Sequence, residues 1–204
     1  MNAETAAAAV ILASGSRFRA QMLAAAGVPA AVDPPAVDEN AVKKAMRARG
    51  LDAAETAEAL AALKAQQVSG RRPGALVIGA DQMLECDGTW FDKPADLAEA
   101  RQTLLALRGR THELITAVCV VRDGLILWHH VARARLTMRP FGDRFLDSYL
   151  DRIGSAACDS VGAYQLEGLG AQLFSRIAGD HFTIVGLPLL PLLDFLRGHG
   201  VVEE

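Results

Sequence analysis

Six residues, Ala75-Leu76-Val77-Ile78-Gly79-Ala80, run without a polar side chain from the turn signals Gly70 and Pro73 to Asp81. A strand with one wet face alternates apolar and polar residues. A continuous apolar run is covered on both faces, as central strands of parallel or mixed α/β sheets are. The run is therefore expected to be a buried, central strand. With 204 residues, 51% of them apolar, the chain has the material for one α/β domain or two small lobes, and disorder is excluded.

Helical and strand patterns alternate early in the chain. An apolar run, Ala8 to Ala13, ends in Ser14-Gly15-Ser16, and Phe18, Met22, Leu23 and Ala26 then recur at helical spacing until Gly27. Helices are expected over Ala41–Arg49 and Ala53–Val68, the second rich in alanine. The apolar strand 75–80 is expected to end at Asp81, with a second short strand from Gln82 to Cys86. Asp87-Gly88 then makes a hairpin turn, and Trp90 to Pro94 a further turn. Asp96 caps a helix over 97–107, with Gly109 after it. Long strands over 111–122 and 125–138 flank a second hairpin signal, Asp123-Gly124. A short helix at 141–150 and an irregular, Gly-rich stretch at 153–170 follow. Segments 173–177 and 182–185 bracket Ala178-Gly179-Asp180 as a third hairpin, and Pro188 opens the last helix. Alternation early and hairpins late predict a mixed sheet flanked by helices, elongated and in two lobes.

The first strand–turn–helix unit is chemically the most suggestive. Ser14 or Ser16 can cap the helix, and Gly15 lets the backbone come close to a partner. Free N–H groups at a helix N-terminus attract anions. Arg17 and Arg19 sit in the first turn, where cations oppose the helix dipole and suit an anion better than they suit the helix. An ordinary capped helix with two solvated arginines is the competing reading. No Gly-Lys-Ser/Thr follows, so this is not a Walker loop.

Composition narrows the partners. A formal charge of −3 argues against a broad electrostatic grip on nucleic acid, though local cations suffice for a small anion. Cys86, Cys119 and Cys158 are odd in number and far apart, so no zinc or disulfide framework follows, and a reducing cytoplasm is the expected compartment. Met1-Asn2-Ala3-Glu4 lacks the basic segment of a signal peptide, and no apolar run is long enough to span a bilayer.

Taken singly, the charged candidates are weak. Asp81 follows the apolar strand, where open α/β sheets place catalytic groups, but turn or capping aspartates are common. Lys64 and Lys93 read equally as solvated lysines, and Asp38-Glu39 as a helix cap. Their order along the chain is more specific: Ser14-Gly-Ser16-x-x-Arg19, Asp38-Glu39, Leu63-Lys64-Ala65, Gly79-Ala80-Asp81, Gly88 and Lys93-Pro94, then Leu107-x-Gly109-x-x-His112 and Thr116. Gly162-Ala163-Tyr164, Glu167-Gly168-x-Gly170, Ile177-x-Gly179 and Val185-Gly186-Leu187-Pro188 complete the set.

This series resembles the Maf-like nucleotide pyrophosphatase family over nearly the whole chain. The resemblance implies one domain, residues 1–204, with a fold like that of inosine-triphosphate pyrophosphatases and a central cleft. It implies hydrolysis of a nucleoside triphosphate to the monophosphate and pyrophosphate with Mg²⁺ or Mn²⁺, in a cytoplasmic homodimer that binds neither nucleic acid nor membrane. Asp81 matches the family's catalytic carboxylate, as proton acceptor and metal ligand, with Glu39 as the second acidic position. Ser14, Ser16, Arg19, Lys64 and Lys93 are the expected phosphate ligands. Carboxylates suit either metal, and cations suit a triphosphate, whose transfer chemistry rests on positioning and charge stabilisation.

Three positions depart from the commonest family pattern. Phe18 stands in the Ser-x-Ser-Pro-Arg-Arg segment, Gln82 replaces the Thr after the aspartate, and Glu167 replaces a Gln. A branch acting on 7-methyl-GTP has an aromatic residue, Gln and Glu there, although it usually shows Pro-Trp where this chain has Arg17-Phe18. One carboxylate can accept both guanine donors, N1–H and the exocyclic amine. An aromatic face favours the positive charge of an N7-methylated ring. A preference for 7-methyl-GTP is therefore expected. A broader pyrophosphatase for dTTP, UTP, CTP or modified pyrimidine nucleotides is the alternative. A non-catalytic nucleotide-binding regulator of septation or division is the reading from another class.

Overall fold

The computed structural model describes residues 9–203. Met1-Asn2-Ala3-Glu4 and Ala8 of the first apolar run lie outside the described residues. The chain is α/β. Seven strands form one mixed sheet in the order β2-β1-β3-β5-β6-β7, with β4 paired to β3. The strands are β1 (Val10–Ala13), β2 (Ala30–Val32), β3 (Leu76–Cys86), β4 (Thr89–Phe91), β5 (Thr111–Arg122), β6 (Leu125–Met138) and β7 (Phe174–Ala178). The helices are α1 (Arg17–Ala25), α2 (Glu39–Ala48), α3 (Ala53–Ser69), α4 (Leu97–Leu107), α5 (Asp143–Ile153), α6 (His181–Val185) and α7 (Leu189–Arg197). Among the described residues, no helix is long and apolar enough to cross a membrane.

The chain divides into two compact units. The first takes the described residues up to Asp81, Thr116–Ala132, and the described residues from Gly186 on. Here β1 runs parallel to β2 and to β3, and Val10 to Ala13 pair with Leu76 to Gly79. The apolar run reads as expected: Leu76, Val77, Ile78 and Ala80 are fully buried. On α3, Ala53, Thr56, Ala57, Leu60, Ala61, Lys64, Ala65, Val68 and Ser69 form one buried stripe at i, i+3, i+4 spacing. Asp52 and Glu55 close the helix start with a capping box.

The second unit comprises Gln82–Ile115 and Arg133–Val185. Its core gathers Leu84, Leu104, Leu107, Leu136, Leu146 and Leu173. The His112 imidazole is buried there, with Nε2 2.8 Å from the Tyr164 hydroxyl and Nδ1, among the described residues, without a hydrogen-bond partner. Burial pushes this imidazole down to about 4.

Both early hairpins form. Asp87 and Gly88, like Asp123 and Gly124, have positive φ at the paired turn positions. Two expectations fail. The strand does not stop at Asp81: β3 continues through Asp81 and Gln82 to Cys86, because from Leu84 onward it pairs antiparallel with β4 after leaving β1. The third hairpin does not exist. β7 ends at Ala178, and Asp180 starts α6 by accepting from the Thr183 backbone N–H at 2.9 Å and from the Thr183 hydroxyl. Boundaries elsewhere move by a few residues. α2 starts at Glu39 because Asp38 caps it, α5 covers 143–153, and Thr89–Phe91 is extended rather than turn. The irregular stretch contains tight 3₁₀ turns at Gly154–Asp159 and Leu169–Leu173.

Candidate active site

The first unit brings together Ser14, Ser16, Arg19, Glu39, Lys64 and Asp81. Ser16 is the N-cap of α1, accepting from the Arg19 N–H at 3.4 Å. The buried Ser14 hydroxyl accepts from the Ser16 N–H at 3.2 Å. A Cβ at Gly15 would meet nothing within 4 Å, so this turn faces open space.

Arg19 folds back over the turn. Its Nε donates to Gly186 O at 2.7 Å, and Nη1 donates to Ala80 O at 2.8 Å and to the Ser14 hydroxyl at 3.3 Å. The guanidinium is thereby fixed where its charge and that of Asp81 interact. Burial lowers its pKa, against the charges of Asp81 and Glu39, which raise it. Arg17 instead lies over the Phe18 ring, 4.9 Å from its centroid.

Lys64 occupies a position of the α3 stripe that the sequence pattern assigns to the core, and it is only 6% exposed. A buried ammonium needs partners. Lys64 Nζ donates to Asp81 Oδ1 at 2.6 Å and lies 2.6 Å from Glu39 Oε1. Asp81 is 4% exposed, and its second oxygen, Oδ2, is buried and, among the described residues, has no hydrogen-bond partner. The Glu39 side chain, 44% exposed, is the solvent side of the trio. Burial pushes the Glu39 carboxyl up. The charge and hydrogen bond of Lys64, with Lys43 and Arg19 behind them, outweigh that and hold it below its ordinary value.

The closeness of α3 to β3 depends on Gly79, the first residue of the Gly79-Ala80-Asp81 motif. A Cβ there would lie 2.2 Å from Ala61 O and 2.8 Å from Ala65 N. Gly79 and Asp81 are two apart on a strand and share a face, and Ala61, Lys64 and Ala65 share a helix face. The missing side chain therefore lets Lys64 reach Asp81. The signal was present: a glycine inside a strand marks close backbone approach.

Asp81 and Glu39 are hard oxygen donors converging on one cationic nitrogen. Among the described residues, no cluster of three or more His, Cys, Asp or Glu forms a ready-made metal cage. That donor set fits Mg²⁺ or Mn²⁺ held by one or two carboxylates and completed by substrate phosphates, and does not fit an all-protein site.

Phe18, half-buried on α1, is a seventh candidate in the first unit, and Gln82, Lys93 and Glu167 belong to the second. Gln82 is half-buried, its Nε2 donating to Thr183 O at 3.0 Å and to Ile184 O at 3.2 Å. Lys93 is exposed between β4 and α4, and Glu167 is exposed on the turn before Leu169.

The family model described as Maf-like protein matches residues 9–199. The chain belongs to the Maf-like protein family. It is 62% identical over 190 residues to a "Nucleoside triphosphate pyrophosphatase" of Paramagnetospirillum magneticum, covering 93% of this chain and 98% of the relative. It is 56% identical to a protein of the same description from Rhodospirillum rubrum, covering 95% and 96%. A "7-methyl-GTP pyrophosphatase" of Mesorhizobium japonicum is 51% identical, covering 95% and 98%. The Maf-like match takes in both units, and all seven first-unit candidates fall within it.

Proposed function

We propose that this Maf-like protein is a hydrolase that cleaves nucleoside triphosphates to the monophosphate and pyrophosphate. The observation that carries this is the Glu39–Lys64–Asp81 trio beside Arg19 and the Ser14–Ser16 turn. Two carboxylates, two cations and a capped helix N-terminus together suit a triphosphate and an attacking water. Arg19, Lys64 and the turn hydroxyls bind and orient phosphate oxygens, with Lys93 as a further phosphate ligand. Asp81 takes the proton of the water, through the oxygen that now lacks a partner. Asp81 and Glu39 are the residues that would hold the divalent cation, whose bound form supplies charge neutralisation at the phosphates. A buried carboxylate oxygen with no partner is a costly feature, and it favours catalysis over a purely regulatory nucleotide-binding role. The whole chain acts as one domain in this reading, in a cytoplasmic homodimer.

For the base, the reading is 7-methyl-GTP. Its supports are the relative described by that activity and the Phe18, Gln82 and Glu167 triple. Phe18 already takes a cation on its face, from Arg17. A broader pyrophosphatase is the second reading. It is favoured by the more general description of the 62% and 56% identical relatives and by the use of the Gln82 amide on Thr183 and Ile184 carbonyls. Pyrophosphate release from 7-methyl-GTP, GTP, UTP, CTP and dTTP, with Mg²⁺, Mn²⁺ or chelator, tests both. Metal-dependent release is expected, with the highest kcat/KM for 7-methyl-GTP. A preference for UTP or dTTP leaves the broader reading, and no release from any nucleotide overturns the activity.

A further inference from the structure

We infer that Lys64 is the resident substitute for the divalent cation. Its ammonium holds the Glu39–Asp81 pair closed, so the protein takes up metal tightly only when a triphosphate draws Lys64 away. The inference rests on the reading that these two carboxylates are the metal pair.

The geometry gives three reasons. First, a single ammonium nitrogen stands 2.6 Å from an oxygen of each carboxylate, at the point where the two converge. A divalent cation held by the same two carboxylates would compete for that point. It and Nζ cannot occupy that point together. Second, Lys64 leaves Asp81 incompletely satisfied, since Oδ2 is buried without a partner among the described residues. Lys64 therefore closes the site without completing it. Third, Lys64 is on a flexible four-carbon stem whose three donors can re-aim, whereas Arg19 is tied to two backbone carbonyls and to Ser14. Of the two cations, Lys64 is the one that can move.

Charge sets the direction of the coupling. Two carboxylates with Lys64 and Arg19 are neutral in sum. Adding a divalent ion to that set leaves an excess of two positive charges in a largely buried place, which is unfavourable. A triphosphate supplies the missing negative charge and offers Lys64 new acceptors. Metal and nucleotide then favour each other's binding, and by linkage the effect is reciprocal.

The test is Mn²⁺ binding to nucleotide-free protein, followed by the loss of the free-ion electron paramagnetic resonance signal. Lys64→Met should bind Mn²⁺ at least about tenfold tighter than wild type, within the usual range of such couplings. Lys64→Arg, which keeps the charge, should stay as weak as wild type. Mn²⁺ should also raise the melting temperature of Lys64→Met more than that of wild type. Adding Asp81→Asn to Lys64→Met should abolish the gain. Lys64→Gln is a second neutral variant, for use if Lys64→Met does not fold. Mn²⁺ binding no tighter in the neutral variants than in wild type overturns the inference and leaves the pyrophosphatase reading standing. Tight binding that Asp81→Asn does not disturb puts the metal elsewhere, and the assignment of Asp81 and Glu39 fails with the inference.

Discussion

Replacing Gly79 by alanine is the smallest change that should separate Lys64 from Asp81 without touching either. The new methyl carbon would be 2.2 Å from Ala61 O, 2.8 Å from Ala65 N and 2.9 Å from Ala65 Cβ. Ordinary carbon contacts begin near 3.5 Å, so α3 must retreat by about 1 Å. The obstructing atoms are mainly helix backbone, so no side-chain rotation relieves them. The cost should lie at the upper end of the overpacking range, about 3 kcal/mol. For a chain of this length that is a fall in Tm of about 6–12 °C. The same retreat stretches the 2.6 Å Lys64–Asp81 contact toward about 3.6 Å, outside hydrogen-bond range. Misplacement on this scale should lower kcat by about ten- to a hundredfold. Thermal melts followed by circular dichroism and steady-state pyrophosphate release measure both effects. Gly15→Ala, which meets nothing within 4 Å, is the control for stability. A Gly79→Ala protein with wild-type Tm and turnover would refute the argument that this glycine sets the approach of α3.

Other outcomes follow from the same geometry. Asp81→Asn should keep the fold and lower kcat by roughly a hundredfold or more in the pyrophosphate assay; near-normal turnover would make Asp81 structural. Glu167→Gln should lower kcat/KM for guanine nucleotides by about ten- to a hundredfold and spare UTP and dTTP, because it sets a donor against the guanine donors. An equal loss on all four of 7-methyl-GTP, GTP, UTP and dTTP would remove its base-reading role. His112 has a folded pKa of about 4 against an ordinary 6.5, so the unfolded chain binds the extra proton first as pH falls. Its contribution to stability is intact above about pH 6.5 and is lost progressively toward pH 4, on the order of 3 kcal/mol in all. Urea midpoints at about pH 7 and pH 4.5 should therefore fall further for wild type than for His112→Gln, and equal falls would contradict it.

Much of the scaffold was legible because its signals are local. The unbroken run 75–80, the Asp-Gly turns and the cap at Asp96 each act within a few residues. The failures came where one local signal serves two structures. Asp180 is a good turn residue and a good helix cap, and its bonds to Thr183 decide for the helix. Asp81-Gln82 reads as the end of a strand, yet β3 continues because a later partner, β4, takes over its pairing. Lys64 lay between these cases. By itself it reads equally as a solvated lysine; its place on the α3 stripe is the signal that could have set it apart, but the partner on α2 is set by tertiary packing, and no spacing in the sequence joins Glu39 to Lys64.

The trio is a poor device for stability alone. Burying an ammonium and a carboxylate carries a desolvation cost that their attraction only roughly offsets, and packed apolar side chains of similar volume would do as well or better. Around it the fold uses apolar residues freely: Leu60, Ala61 and Ala65 on α3 and Ile78 and Ala80 on β3 are completely buried. The same helix and strand that could have closed on a methionine close instead on Lys64 and Asp81, with Gly79 clearing the way and one carboxylate oxygen left unmatched. Such a group is unstable by comparison with its surroundings in the way a ligand site is. On the proposed pyrophosphatase reading, a divalent cation or the attacking water would supply what the unmatched oxygen lacks, and the triphosphate would offer acceptors to Lys64 and Arg19.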